Sequence, residues 1–559
     1  MNNHKAKVAI LSLNFYSPDL NYACRVHSLA LQHYLEMNGI DVEILDYFPI
    51  HYDPKYDLRH PLKYFKKYPD SNKEKQKNHI NRWASLYKER ELRYDKTLRF
   101  VEEYTQKTNI RYNVKMLDCF DPGFDIYIAA TDVIWKYREN KGFDKAFFLQ
   151  SECMKGKGTI AYSVSSSSVY DAEKLAQVSD LIRDIDYISV REKWLADALE
   201  QITNKNISIA IDPVFLCPVS FYESILKEPE EKQYVLAYNA CANARTIIDK
   251  AARYAKEKGL PLIELSPYKE NENYPQGTSH KVIYEAGVDE WLGYIRNAEC
   301  VFTNSFHCSC FSIIFNKNFY AGERGGAKIP WLLEIFHLKD RWINSDYDIS
   351  RCKEDIDYDK VNALKEEYVK ISGNYILNAI RSLESQMLNK ETNRNIEMVL
   401  APSKRTINII YNSTPKGNKI SPDFYDKSFL KGKLKLTTSG AMEYSESQNI
   451  ARKDYIVRSC PFDNKGFEFI GWLVRAREKT SDEWRFWCND DIWRTKNSIE
   501  DKDNMIIIKP NAVLPLSQFK QYKSVVFVAK WSKKTSPNKN ESFNLEIPRK
   551  EERTDGFLG

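Results

Sequence analysis

The stretch VFTNSFHCSCFSIIF, residues 301–315, decides the fold of this chain. It is typical of a buried strand, then a tight polar turn with one histidine, then the start of a helix rich in small residues. The preceding segment, Trp291 to Ala298, has helical spacing. In open α/β sheets, ligands bind beside the carboxyl ends of strands and near helix N-termini. The turn therefore predicts a ligand site, in which the imidazole of His307 suits acid–base chemistry or contact with an anion.

The rest of the first 400 residues has the same α/β character. A strand at Lys7 to Leu13, a helix that ends at Gly39 and a strand at Asp41 to Tyr47 form a βαβ start, which predicts a parallel sheet. We predict two doubly wound, Rossmann-like lobes facing a cleft, at residues 1–220 and 221–395. The highly charged residues 51–120 are expected to form a helical insertion in the first lobe, or a solvated surface hairpin.

The character of the sequence changes near residue 400, after which short strand patterns dominate. We predict a small β-rich accessory module over residues 400–559. Within it, Gly466 to Trp472 (GFEFIGW) and Val526 to Trp531 (VFVAKW) resemble the Listeria–Bacteroides repeat of bacterial surface proteins. That resemblance implies an accessory role for the module and no catalytic one.

Composition excludes several classes of function. The 559 residues carry 83 basic and 77 acidic side chains, so the charge gives no indication of nucleic-acid binding. We found no apolar stretch of about 18 residues, so a membrane span is not expected. The 11 cysteines are odd in number and scattered, which favours reduced thiols and predicts neither a disulfide nor a metal site. A cytoplasmic protein with at most peripheral membrane association is the expectation.

One long motif and four short ones carry a resemblance to a known family. Ala298 to Phe315 is similar to A-x-x-V-x-T-N-S-F-H-G-x-x-F-S-I-I-F of the polysaccharide pyruvyl transferases, with a cysteine in place of the glycine. Shorter family motifs begin, in the family's order, at Asn21, Phe124, Ile188 and Asp212. The resemblance spans roughly residues 7–385, and it implies a GT-B-like architecture of two lobes.

The resemblance also implies a reaction. The family transfers the pyruvate unit of phosphoenolpyruvate onto two hydroxyls of a sugar, which forms a cyclic ketal and releases phosphate. The acceptor would be a lipid-linked or nucleotide-linked precursor of a surface polysaccharide. No cofactor is implied, and a homo-oligomer is compatible with the sequence.

Three residues are the leading candidates for chemistry or for holding charge. His307 is the candidate for proton transfer or phosphate contact. Asp132, which follows a predicted strand, would accept a proton from a sugar hydroxyl or else cap the next helix. Arg191 ends another strand; its guanidinium would grip the carboxylate or phosphate of the donor, or else form an ion pair with Glu192 or Asp212.

The remaining candidates line the two sides of the predicted cleft. On the donor side we place Ser305 and Ser309 at the helix start and Lys328 after a glycine pair; Ser305 stands where many relatives have arginine, and Lys328 would replace another family arginine. On the acceptor side we place Asn21, Tyr22 and Ser163, of which the first two would otherwise be turn residues. This first loop also departs from the family, with Val26-His27 in place of leucine-glutamine.

Two other functions stay open from the sequence alone. A GT-B glycosyltransferase that uses a nucleotide sugar would need a glycine-rich phosphate loop and an acidic ribose contact, and neither is clear in the second lobe. A carbohydrate-binding protein with a decayed cleft is the other alternative, because Ser305, Cys308 and the first loop depart from the family pattern.

Overall fold

The computed structural model describes residues 5–13, 20–50, 86–138, 141–166, 168–240, 245–266, 279–322, 326–349, 355–399, 406–414, 419–421, 424–449, 454–478, 484–487, 493–495, 507–519 and 521–533. The chain divides into two compact units. The first comprises residues 1–403 and 423–436, and the second comprises residues 404–422 and 437–559. Among the described residues, no helix is long and apolar enough to cross a membrane.

The first lobe of unit 1 is a parallel sheet with the strand order β2-β1-β3-β4-β5-β6. Its strands are β1 (Lys7–Leu11), β2 (Asp41–Ile44), β3 (Ile126–Asp132), β4 (Gly158–Val164), β5 (Tyr187–Val190) and β6 (Ile207–Ile209). Its helices are α1 (Ala23–Met37), α2 (Tyr87–Tyr104), α3 (Val114–Leu117), α4 (Ala172–Ile182) and α5 (Lys193–Glu200). Every residue of β3 and β4 is buried, as expected for a parallel sheet covered on both faces.

The second lobe is another parallel sheet, with the order β12-β11-β10-β7-β8-β9. Its strands are β7 (Val235–Tyr238), β8 (Leu262–Leu265), β9 (His280–Ile283), β10 (Cys300–Thr303), β11 (Asn318–Gly322) and β12 (Trp342–Ile343). The helices α6 (Val219–Ile225), α7 (Arg245–Lys258), α8 (Val288–Asn297), α9 (Phe306–Ile314) and α10 (Lys328–Ile335) precede or connect these strands. The prediction of two parallel-sheet α/β lobes is confirmed.

One long helix, α11 (Tyr358–Val399), contacts the cores of both lobes. Val361 belongs to the core that contains the second sheet, whereas Ile380 and Leu383 belong to the core of the first sheet. Gly158 in β4 permits this approach, because an added Cβ would lie 3.0 Å from Leu383 Cδ1. The helix therefore ties the two lobes together through buried apolar side chains.

The predicted helical insertion is only partly described by the structure. Residues 51–85 lie outside the described residues, and α2 supplies the helix that comes after them. Lys96 and Arg99 of α2 form ion pairs of 2.6 and 2.9 Å with Glu290 and Asp289 of α8. Residues 105–120 are not uniformly helical, because two bridges join Ile44 to Lys107 and Tyr47 to Tyr112.

Residues 423–436 belong to the first unit by their contacts, although their sequence predicts a place in the β-rich module. Phe429 is buried with its ring 5.4 Å from that of Phe120. The backbone N–H of Asp426 donates to Cys119 Sγ at 3.2 Å. The strand β15 (Lys433–Leu436) ends this segment. A boundary at residue 400 therefore does not separate all of the first unit from the second.

The second unit is rich in β-structure, in agreement with the prediction. Its main sheet runs β16-β13-β24-β19-β20-β21, with β22 also beside β19. The strands are β13 (Thr406–Asn412), β14 (Lys419–Ile420), β16 (Met442–Asn449), β17 (Asp454–Ile456), β18 (Phe462–Asp463), β19 (Phe467–Glu478), β20 (Trp484–Trp487), β21 (Trp493–Thr495), β22 (Ile507–Ile508), β23 (Val513–Pro515) and β24 (Tyr522–Lys533).

The two segments that resemble the Listeria–Bacteroides repeat pair with each other in this sheet. Phe469 of β19 lies opposite Trp531 of β24, with their rings 5.7 Å apart. Trp472 is fully buried, and its indole N–H donates to the carbonyl of Arg458. Trp472 is thus a core residue of the module.

Candidate active site between the two lobes

The elements at two strand-order reversals bring the candidate residues together. In each sheet the strand order reverses at one point, between β1 and β3 in the first lobe and between β7 and β10 in the second. Such switch points are where open α/β sheets bind ligands. His27 and Asp132 belong to the elements at the first switch point, and His307 comes after β10 at the second. The two switch points therefore supply these three residues, and further site residues follow β5, β6 and β11.

The start of α9 is fixed by hydrogen bonds from its own polar residues. Ser305 is the N-cap, and its side chain accepts from the Cys308 N–H at 3.4 Å. Ser309 donates its hydroxyl to the Ser305 carbonyl at 3.0 Å. Asn304 Nδ2 donates to Asn239 Oδ1 at 2.8 Å, which joins the ends of β10 and β7. Ser305 and Ser309, which we predicted to bind the donor, use their hydroxyls here to hold the histidine turn.

Arg191 is buried and its guanidinium is largely occupied by carboxylates. Nη1 donates to Asp212 at 2.7 Å and Nε donates to Glu192 at 3.0 Å, whereas Nη2 lies 3.4 Å from Asp132. The guanidinium also stacks 4.1 Å from the centroid of the Phe306 ring. The structure thus contains the ion pairs that the sequence offered as the alternative for Arg191, and it leaves Nη2 as the least engaged donor.

Asp212 connects Arg191 to the histidine. Its Oδ2 accepts from Arg191 and lies 3.3 Å from His307 Nε2, and its Oδ1 accepts from the Val214 N–H at 3.2 Å. Burial acts to raise the pKa of Asp212, but His307 and Arg191 outweigh it and hold the pKa well below its usual range. Asp212 is therefore a carboxylate at neutral pH, aimed at the imidazole of His307.

Asp132 and Lys328 face each other across the two lobes. Lys328 Nζ lies 3.4 Å from Asp132 Oδ1, the same oxygen that lies 3.4 Å from Arg191 Nη2. Burial acts to raise the pKa of Asp132, but the positive charges of Lys328, His307 and Arg191 lower it well below the usual range. Both contacts of this carboxylate are long for charged hydrogen bonds.

A residue that we did not predict, His27, completes the cluster. Its ring stacks on that of His307, with centroids 5.4 Å apart and planes inclined by 28°. Burial, and secondarily the neighbouring His307, lower the pKa of His27 to about 4. The imidazole is therefore neutral at physiological pH. The departure of Val26-His27 from the family's leucine-glutamine was the one sequence signal for this residue.

The three predicted acceptor residues differ in what their polar groups contact. Asn21 Oδ1 accepts from the Ala23 N–H at 3.1 Å, the turn role that the sequence offered as an alternative. Tyr22 is fully buried, with its ring stacked against Trp291 at 5.5 Å. Ser163 is buried at the end of β4 with a positive φ of 50°. The hydroxyls of Tyr22 and Ser163 are buried and have no hydrogen-bond partner among the described residues.

Cys308 and Cys310, on the first turns of α9, are neutral packing thiols. Both are fully buried. Burial raises the pKa of Cys308 to about 12 and that of Cys310 well above its ordinary value. Because the thiolate is the nucleophile, neither side chain is suited to nucleophilic catalysis.

One group of metal-ligand residue types is brought together by the fold. Within the described part of the chain, ligand atoms of Cys24, His27 and Asp132 lie within 4.8 Å of one another. Asp132, however, already faces Lys328 and Arg191, both at 3.4 Å. A divalent ion bound there would lie beside two positive charges, so the arrangement does not favour a metal.

The fold and the site together define a class of protein. His307 and the carboxylates of Asp132 and Asp212 all lie at or after the ends of strands of two parallel sheets, and this is the edge at which such sheets bind ligands. The sequence matches the polysaccharide pyruvyl transferase family over residues 26–321, which is more than half of the chain. The chain belongs to this family and is therefore a transferase with a sugar acceptor.

Comparison with solved structures gives only distant similarity. Arabidopsis thaliana UGT89C1 complexed with quercetin has a TM-score of 0.36 at 10% identity. The UDP-GlcNAc 2-epimerases of Methanocaldococcus jannaschii and Neisseria meningitidis have TM-scores of 0.33 and 0.34 at 11% and 9% identity. Each similarity covers 68% of this chain and 99% of the other. No curated protein sequence matches the chain.

Proposed function

We propose that this protein transfers the pyruvate unit of phosphoenolpyruvate onto two hydroxyls of a sugar in a surface-polysaccharide precursor, forming a cyclic ketal and releasing phosphate. The observation that carries the proposal is the His307–Asp212–Arg191 arrangement, because Asp212 lies 3.3 Å from the imidazole and 2.7 Å from the guanidinium. All three residues lie within the part of the chain that matches the family. No bound cofactor is part of the proposal.

The donor would bind where the cluster's contacts are weakest. Arg191 Nη2 and Lys328 Nζ both lie 3.4 Å from Asp132, whereas the other Arg191 contacts are 2.7 and 3.0 Å. An anionic donor can take over the two long contacts and leave the shorter ones in place. Its carboxylate and phosphate would then lie between Asp132 and the two cations.

The Asp212–His307 pair would supply the proton that the enol carbon needs. Attack of a sugar hydroxyl on the central carbon of phosphoenolpyruvate requires a proton at the methylene carbon. A protonated His307 is stabilised by the nearby carboxylate of Asp212 and can deliver that proton. Asp132, freed from its two cations, would orient the attacking hydroxyl. Ser163, with its unused hydroxyl, is the candidate for a further acceptor contact.

The test is phosphate release from phosphoenolpyruvate by the purified full-length protein, with a panel of lipid-linked and nucleotide-linked sugars. We expect phosphate release that depends on both substrates, and an acceptor whose mass rises by one pyruvate unit less one water. If the protein instead releases a nucleotide from a nucleotide sugar and leaves phosphoenolpyruvate intact, the proposal is wrong and the glycosyltransferase alternative is correct.

A further inference from the structure

The site contains two stacked imidazoles, one from each lobe, and the proposed function uses only one of them. His27 comes from α1 of the first lobe and His307 from α9 of the second, and both are buried, at 0% and 5% exposure. Burying two imidazoles with ring centroids 5.4 Å apart is costly if both become charged. The pair therefore favours one shared proton over two, which is a property suited to passing protons.

The hydrogen bonds of His27 within the described residues join its Nδ1 to two serine hydroxyls. Nδ1 lies 3.3 Å from Ser28 Oγ and 3.4 Å from Ser12 Oγ. Ser28 donates its hydroxyl proton to the Cys24 carbonyl at 3.2 Å, so its oxygen is left to accept. With hydrogen on Nδ1, the ring donates to this oxygen and Nε2 holds the lone pair, which is the tautomer that the inference below requires. Nε2 is buried and has no hydrogen-bond partner among the described residues.

The two rings have different electrostatic surroundings. His307 Nε2 lies 3.3 Å from the Asp212 carboxylate, whereas the contacts of His27 Nδ1 are hydroxyls. Asp132 also faces His27, with a carboxylate oxygen within 4.8 Å of a ring nitrogen. Paired titratable groups in environments this different take opposite roles in proton transfer. His307 is suited to hold a proton and His27 to receive one.

We propose that His27 is the second proton-transfer residue of this site, acting as base while His307 acts as acid, and that the two reverse these roles in the second half of the reaction. The inference deepens the proposed function and rests on it. It assigns to His27 a role that the family motif around His307 does not contain.

The first half-reaction balances with these two groups. The acceptor oxygen bonds to the central carbon of phosphoenolpyruvate, and its hydroxyl proton passes to His27 Nε2. The electron pair of the carbon–carbon double bond takes the proton from His307, which converts the methylene group to a methyl group. The product is a tetrahedral phosphorylated adduct, with His27 protonated and His307 neutral.

The second half-reaction returns both rings to their starting states. The bond between the central carbon and the phosphate oxygen breaks, and the leaving phosphate takes the proton from His27. The second sugar hydroxyl bonds to the same carbon and gives its proton to His307. The ketal and phosphate leave, and no oxidant, reductant or metal is consumed.

Because the two rings are close, the loss of a proton from His307 makes His27 a stronger base. Burial lowers the pKa of His27, and the charge of a protonated His307 lowers it further. When His307 gives up its proton, that repulsion ends, and the base becomes stronger at the moment when it is needed. The Asp132 carboxylate then stabilises the imidazolium of His27.

Kinetics test the inference with a matched control on the same helix. His27→Gln keeps a hydrogen-bonding side chain of similar size but cannot take a proton, so we expect kcat for phosphate release to fall by about 10²-fold or more with little change in the KM for phosphoenolpyruvate. His33→Gln is the control, because His33 is partly exposed and stacks on Phe221 away from this cluster. A His27→Gln enzyme with the wild-type kcat and pH profile would overturn the inference.

Nitrogen NMR of the full-length protein labelled in its histidines tests the same inference without turnover. The signals of His27 are assigned by their loss in His27→Gln. We expect them to show hydrogen on Nδ1 and none on Nε2 at pH 7. Hydrogen on Nε2 of His27 would leave this nitrogen without the lone pair that a base needs, and would overturn the inference. If the wild type releases no phosphate from phosphoenolpyruvate, the proposed function fails, and the NMR result still decides whether His27 has the lone pair that the inference requires.

Discussion

Replacing Arg191 by lysine keeps the positive charge of the cluster but removes the planar fork. Arg191 donates to Asp212 at 2.7 Å and to Glu192 at 3.0 Å, and stacks 4.1 Å from the Phe306 ring. One ammonium group cannot repeat both hydrogen bonds in this geometry. Losing one hydrogen bond to a charged group costs about 1.5–3 kcal/mol, and losing the stacking adds about 0.5–1 kcal/mol.

We therefore expect Arg191→Lys to lower the free energy of unfolding of the first unit by about 2–4 kcal/mol. Arg191→Met, which removes the guanidinium from between three buried carboxylates, should cost more, about 3–5 kcal/mol. Urea unfolding followed by tryptophan fluorescence measures both variants.

The matched control is Arg183→Lys in the same lobe. Arg183 pairs with Asp180 on the surface, where its side chain is 69% exposed, so this change should alter stability by about 0.5 kcal/mol or less. If Arg191→Lys and Arg183→Lys shift the urea midpoint equally, the hydrogen bonds and the ring stacking of the Arg191 guanidinium do not stabilise the protein.

Three further predictions concern single residues. Burial lowers the pKa of His27 to about 4, below the ordinary value near 6.5 of the unfolded chain. The free energy of unfolding should therefore fall by up to about 3 kcal/mol between pH 6.5 and pH 4, because over this range the unfolded chain binds a proton that the folded protein does not. His27→Gln should flatten this part of the stability–pH curve, and an unchanged curve would contradict this expectation. Cys308 and Cys310, buried and neutral, should resist iodoacetamide at pH 8 until the protein unfolds, whereas rapid alkylation of the native protein would show that they are accessible thiolates. Phe429→Ala should destabilise the first unit by about 3–5 kcal/mol, because the ring is buried against Phe120, and calorimetry that shows a loss confined to the second unit would refute the assignment of residues 423–436.

The fold could be predicted because its signals are local. Buried runs such as β3 and β4, followed by polar turns and helical spacing, are typical of parallel sheets, and both lobes have that pattern. The assignment of residues 423–436 could not be predicted, because it depends on the packing of Phe429 on Phe120, about 300 residues apart in the sequence. Sequence composition contains no signal for such a contact.

The site was predictable only in part, for a related reason. His307, Asp132, Arg191 and Lys328 were found from their places at strand ends and in the family motifs, and the structure brings them into one cluster. The sequence offered Glu192 or Asp212 as a partner of Arg191, but not all three carboxylates at once, because Asp132 and Asp212 lie at the ends of other strands than Arg191 does. His27 was missed because it lies inside a buried helix, where a histidine gives no periodic signal.

Calorimetric titration of phosphoenolpyruvate into the full-length protein tests the central claim most directly, because it needs no acceptor. We predict saturable binding to the wild type, and weaker or absent binding to His307→Ala and to Lys328→Met. A nucleotide sugar titrated in parallel should produce no comparable heat. Binding of the nucleotide sugar together with no binding of phosphoenolpyruvate would contradict the proposed donor.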